Sequence, residues 1–220
     1  MTIAVGLGFM DFPFSSADAY WRWVALCEEG GVDSVWQTDR LVSDQPFLEC
    51  MSAMAALAGA TRRLKFGMNV VSLGLRDPLL LAKQCATIDM LSNGRLLPGF
   101  GIGSIRAADW QAMGADTAGR GQRSNEALEI ISRLWVEESV DFEGDFFHYK
   151  DARILPKPVQ KQLPMWLGGA SKPAIRRTAR FGTGWQAGLE TPDEVAPVIS
   201  AIKQALVEER RTIDHDHYGA

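Results

Sequence analysis

Reactive and metal-binding residue types are sparse in this chain. Its 220 residues include only three cysteines and three histidines. Cys27, Cys50 and Cys85 each fall within a helical pattern, with an odd total and no CxxC spacing, which speaks for buried thiols over a disulfide or a nucleophile. His148 stands far from His215 and His217, and that last pair sits in a short polar tail with Asp214 and Asp216, so no metal set is visible. There is no G-x-S-x-G elbow, H-E-x-x-H or P-loop, and Gly99, Gly101 and Gly103 alternate instead of giving G-x-G-x-x-G between a first strand and its helix. No apolar run approaches a membrane span, and Met1 to Phe9 is too short and lacks the basic start of a signal segment, so a cytoplasmic protein is expected. A large excess of charge of either sign is also lacking: the net value is -4, lysines and arginines are scattered, and Arg210-Arg211 after Glu208-Glu209 reads as a solvated helix end. Neither nucleic acid nor membrane is indicated as a partner.

What the chain has is a repeated unit. The stretch DPLLLAKQCATIDMLSNGRLLPGFGIGS joins a helix, with Leu79, Ala82, Ala86 and Met90 at spacings of three and four, through an SNG turn to a buried strand ending in glycines. The same alternation predicts strands at 3–8, 34–38, 65–71, 96–101, 165–168 and 183–187. Helices are predicted at 16–29, 47–59, 78–91, 120–138, 171–181 and 192–211. Pro98 fits a central strand only where its missing N–H falls at a bulge. Six βα units in series predict one α/β domain over 1–220 with a parallel sheet, either a closed barrel or an open doubly wound one. Eight strands close a TIM-type barrel, so the chain reads as truncated at its C-terminus. Residues 141–163 form an aromatic-rich insertion between units four and five, with Gly144 available for a hairpin turn. Its Phe142, Phe146, Phe147 and Tyr149 are expected to fill a local core, cap the barrel or cover a partner subunit.

Chemistry is expected where strands end. Asp39 and Arg40 follow DSVWQT and either face a ligand or pair with each other at the rim. Asn69, late in KFGMNVV, either presents its amide to the rim or caps the following loop at Ser72. WLGGASKP places Gly168, Gly169 and Ala170 before a helix start, serving as a phosphate nest or as a plain turn capped by Ser171. Trp185 either stacks on a flat ligand or fills core.

The blocks GGVDSVWQTDR, LKFGMNVVSLGLRDPLLLAKQCATIDMLSNGRLLPGFGIG and LPMWLGGASKPAIRRTARFGTGW, in this order, resemble the luciferase-like monooxygenase superfamily, in look nearest its coenzyme F420-dependent oxidoreductases. The resemblance implies a TIM-type (β/α)8 barrel, of which about six units are present here, in a longer homodimeric protein. It implies a deazaflavin, or alternatively FMN, across the carboxyl ends of the strands, exchanging a hydride with a small organic substrate. An FMN-dependent monooxygenase and a noncatalytic relative are the alternatives. Asp39 and Arg40 would contact the ring as catalytic residues, and Asn69-Val70 would match a non-proline cis peptide beneath it. Gly101 and Gly103 with Trp185 would line the cofactor site, and Gly168, Gly169 and Ala170 its ribityl or phosphate portion. Two departures stand out: Arg40 occupies a position that is His in many F420-dependent members, and Ser104 replaces the Glu acid of those acting on sugar phosphates.

Overall fold

The computed structural model describes residues 4–188 and 190–219; Ile3, where the first strand was expected to begin, and Ala220 lie outside them. In chain order the elements are β1 (Gly6–Phe9), α1 (Ala17–Glu29), β2 (Ser34–Gln37), α2 (Cys50–Ala60), β3 (Lys65–Met68), β4 (Val71–Ser72) and α3 (Pro78–Ser92). Then follow β5 (Leu96–Leu97), β6 (Gly99–Gly101), α4 (Ala108–Ala112), α5 (Arg120–Val136), β7 (Val140–Glu143) and β8 (His148–Ala152). The last are β9 (Trp166–Gly168), α6 (Lys172–Phe181), β10 (Gly184–Gln186), α7 (Pro192–Glu208) and β11 (Tyr218–Gly219).

Local chemistry starts the helices. Ser16 caps α1 by accepting the Ala19 N–H, Asp77 caps α3 ahead of Pro78, and Thr191 and Glu194 form a capping box on α7. Asn93, in the left-handed region at φ 57°, ends α3. The buried face of α3 is Leu81, Ala82, Cys85, Ala86 and Ile88; Met90, placed on the apolar face by spacing, is half exposed. The correction is one of phase, since the helix presses its Leu81 side to the sheet. All three cysteines are buried free thiols, and burial raises the pKa of each.

The parallel sheet is continuous through two broken strands. Pairing runs β1-β2-β3-β5 on one side and β4-β6-β9-β10-β11 on the other. β3 and β4 are halves of one stave interrupted at the cis peptide Asn69-Val70, and β5 and β6 are halves of the next, interrupted at Pro98. Pro98 has no N–H to give, but its carbonyl accepts from Trp166 and so carries the sheet across the break. The staves therefore number seven, one more than the six expected; the seventh is the short β11, which pairs Trp185 with Tyr218. Among the described residues the outer edges of β1 and β11 have no strand neighbour, and Val5 and Leu7 beside that edge are exposed.

Side chains alternate between the barrel interior and the helix layer. Val35, Phe66, Met68, Leu96, Phe100 and Leu167 point outward into the main core under α1, α2, α3 and α5. Trp36 and Trp166 point inward and meet edge to face, with ring centres 5.8 Å apart and planes at 73°. Glycines make room for them: a Cβ at Gly184 would stand 2.7 Å from the Trp166 indole, and one at Gly67 would collide with Trp36 and the Leu97 carbonyl. A second, smaller core lies under α6 and α7, where Ala179, Trp185, Val198, Ile202 and Leu206 pack together.

β7 and β8 form an antiparallel hairpin within the 141–163 excursion. Glu126 of α5 accepts the N–H groups of Asp145, Phe146 and Phe147 at its turn, and the Tyr149 hydroxyl donates to Asp77. Phe142, Phe146, Phe147 and Tyr149 pack on the main core. The hairpin thus fills a local core.

Candidate active site at the carboxyl ends of the strands

Val70 is the centre of the mouth. The cis peptide before it turns its side chain into the barrel, where a Cβ at Gly101 would stand 2.6 Å from Val70 Cγ2 and one at Gly168 4.0 Å from Cγ1. Gly101 and Gly168 have no side chains to occupy the space around it, so two strand ends leave a shallow floor built of backbone and one isopropyl group. Beneath that floor, Trp166 Nε1 and Gln186 Oε1 are buried on the inward face without hydrogen-bond partners.

Asp39, at the end of β2, is 7% exposed and fully engaged: one oxygen pairs with Arg76 Nη2 at 2.7 Å and the other accepts the Ser72 N–H. Arg76 also reaches Glu49 at 3.0 Å and contacts Cys50 Sγ. Ligand atoms of Asp39, Glu49 and Cys50 lie within 4.8 Å of one another, but the Arg76 guanidinium already supplies the positive charge among them. Burial acts against that guanidinium's charge, and Asp39, Cys50 and Glu49 more than offset it, so its pKa is raised. The expectation that Asp39 pairs with its neighbour Arg40 is therefore corrected, because each has a different partner.

Arg40 turns toward Asp109 of α4, 3.5 Å away. Asp109 is buried and accepts the N–H groups of Leu41 and Val42, which ties the loop after β2 to the loop after β6. Burial opposes its ionisation, but those two amides and Arg40 prevail and lower its pKa. Trp110 follows it, donating to the Ser104 carbonyl and covering Gly74 and Gly103; Gly103, at φ 74°, has no side chain to block the indole. Neither Asp109 nor Arg76 stood out in the sequence. Asp109 sits in a five-residue helix too short for a periodic signal, and Arg76 lay inside a loop whose partners come from two other segments.

Asn69 hydrogen-bonds through its backbone to Gln37, and the Ser72 N–H is taken by Asp39, so Asn69 is not the cap of that loop. At the end of β9, Ser171 accepts the Ala174 N–H as the cap of α6, and Gly169 lies at φ 100°, a conformation that requires glycine. The cap is therefore present, and the chain turns through Gly169 just ahead of it. Trp185 is corrected as a ligand-stacking residue: it is fully buried on the outward face of β10 under α6 and α7, and its Nε1 donates to the Gly169 carbonyl. It braces the glycine turn from behind.

A parallel barrel whose strand ends bring together the interrupted stave at Val70 and the glycine turn capped by Ser171 defines a TIM-type α/β protein. The chain belongs to the luciferase-like monooxygenase family, whose model matches residues 13–218. It is 35% identical over 169 residues to the uncharacterized protein Rv0940c of Mycobacterium tuberculosis, covering 76% of this chain and 57% of that one. It is 30% identical over 202 residues to an F420-dependent glucose-6-phosphate dehydrogenase of Microbacterium testaceum, covering 86% of this chain and 58% of that one. Among solved structures, monooxygenase RslO1 from Streptomyces bottropensis superposes with a TM-score of 0.85 at 24% identity, over 97% of this chain and 69% of that one. Coenzyme F420-dependent tetrahydromethanopterin reductase from Methanopyrus kandleri gives 0.81 at 19%, over 96% and 63%. These structural likenesses bear on the fold. The chain thus spans just over half the length of those two curated relatives. Among the described residues, no helix is long and apolar enough to cross a membrane.

Proposed function

We propose that this chain forms the cofactor-holding part of an F420-dependent oxidoreductase that exchanges a hydride with a small organic substrate. The observation that carries the reading is the floor around Val70, bounded by Gly101 and Gly168 and adjoining the glycine turn at the start of α6. A flat ring fits over glycine backbone and one branched side chain, while a phosphate fits N–H groups at a helix start. F420, when bound, supplies the hydride-carrying carbon. The chain's own residues would hold and orient it: Val70 beneath the ring, Arg40 at its edge, Gly168, Gly169 and Ala170 along the ribityl and phosphate portion. Asp39, through Arg76 and the Ser72 amide, would fix the strand ends on which these groups stand.

The F420 assignment draws on relatives that bear that cofactor's name. FMN is the second reading, favoured by Arg40; monooxygenation, the reaction that goes with it, is named for the 4-hydroxyprotoasukamycin monooxygenase of Streptomyces nodosus subsp. asukaensis, 33% identical over 171 residues. A homodimer is proposed on the outward face of α2, where Ala55, Ala56, Gly59 and Ala60 are exposed beside Leu80 and Leu91 of α3. Light scattering tests that assembly.

Absorption titration of the protein with F420 and with FMN tests the cofactor. F420 binding is expected, and tight FMN binding without F420 binding would overturn the choice. Gly168→Ala probes the floor without backbone conflict, because its Cβ would meet only ordinary contacts, the nearest 3.5 Å away. The variant should keep its unfolding midpoint and weaken cofactor binding by about tenfold. Unchanged affinity would place the ring elsewhere.

A further inference from the structure

The mouth is electrically divided. Segments 10–16, 38–49 and 102–119, which follow β1, β2 and β6, carry six carboxylates, Asp11, Asp39, Asp44, Glu49, Asp109 and Asp116, against two arginines, Arg40 and Arg106. These segments touch one another: the Phe12 N–H donates to the Pro46 carbonyl, and the Leu41 and Val42 amides to Asp109. Their cations are committed, Arg40 to Asp109 and the adjoining Arg76 to Asp39 and Glu49, which leaves Arg106 as the one arginine among them without a carboxylate partner. The next side round the sheet, where β9 pairs with β6, is basic, since α6 after β9 carries Lys172, Arg176 and Arg177 in its first two turns and no carboxylate, and Arg120 and Arg123 open α5. A helix start adds to that positive field.

The same acidic segments also expose apolar side chains. Met10 is 77%, Ile105 56%, Met113 49% and Val42 43% exposed, and Leu41 is 37%. Small-molecule sites are lined mainly by apolar groups, and a mouth of one sign concentrates or repels ions accordingly. Building on the oxidoreductase reading above, we infer that the substrate is uncharged and largely apolar, entering over Met10, Val42, Ile105 and Met113, and that phosphate-bearing substrates are rejected on this side. An anionic cofactor tail is accommodated by the α6 side, so the two ends of the mouth sort ligands by charge.

The test compares binding of 2-decanone and glucose 6-phosphate by ligand-observed magnetic resonance, on the protein alone and with cofactor added. 2-Decanone should bind at least about tenfold more tightly. Ile105→Glu, at an exposed position, should weaken 2-decanone about tenfold and leave cofactor titration unchanged. Equal or tighter binding of glucose 6-phosphate, binding of neither ligand, or indifference of 2-decanone to Ile105→Glu would overturn the inference. Failure of both F420 and FMN to bind would overturn the proposed function alone, because the ligand comparison is also read without cofactor.

Discussion

Asp39 and Arg40 are chain neighbours with different physical situations. Asp39 is buried against Arg76, and its removal leaves the half-buried guanidinium with Glu49 as its one carboxylate partner and the Ser72 N–H without its acceptor. Asp39→Ala should therefore lower unfolding stability in urea by about 3–5 kcal/mol. Arg40 is 41% exposed on the side chain and holds Asp109 at 3.5 Å, so Arg40→Ala should cost less than about 1 kcal/mol. Arg40 is consequently the cleaner probe of cofactor contact, and weakened binding with near-normal stability is the expected result of that titration. Asp109 contributes through its ionised form: its folded pKa lies below the ordinary 3.8, so its stabilisation is complete above that value and is lost as pH falls below it, through the folded pKa. Acid titration should loosen the 38–49 loop of the wild type only as pH falls below 3.8, whereas Asp109→Asn should be loosened already at neutral pH. Exchange of the Leu41 and Val42 amides would measure this.

Within the elements, glycine spacing sets what the strands can pack around. A methyl group at Gly67 has no vacant space, because the Leu97 carbonyl and the Trp36 ring are fixed by the sheet. Gly67→Ala should destabilise by about 1–3 kcal/mol or more, read as a lowered unfolding midpoint with unchanged helix content by circular dichroism. Helices were legible from sequence because caps and periodicity are local: Asp77-Pro78, Ser171 and Thr191 each announce a start within four residues. The inner breaks were harder to read. Pro98 signalled one interruption directly, whereas that at Asn69-Val70 was expected only from family likeness. β11 escaped because two residues of strand carry no periodic signature. At the mouth, candidates on strand ends could be named, but their partners could not: Arg76 and Asp109 meet Asp39 and Arg40 only through the folded arrangement of separate loops.

Across the molecule the apolar interior is unequal. The main cluster lies under α1, α2, α3 and α5, whereas α6 and α7 rest on the smaller group around Trp185 and Ile202. Regions with fewer buried contacts open at lower free energy than the whole. Amides in the middle of α7 should exchange with solvent faster than those in the middle of α3, and cofactor should narrow the gap, since the glycine turn proposed to hold it lies at the start of α6. Equal protection in both helices would show one cooperative unit.

The inward tryptophans have an optical consequence. Two indoles 5.8 Å apart and inclined at 73° lie close enough for their electronic transitions to couple, and neither ring is parallel to the other. Such a pair gives a signed, two-lobed circular dichroism feature in the ultraviolet that a single indole cannot give. Because Trp36 comes from β2 and Trp166 from β9, on opposite walls, the feature exists only while the walls face each other. The barrel therefore carries its own spectroscopic ruler, with no label attached.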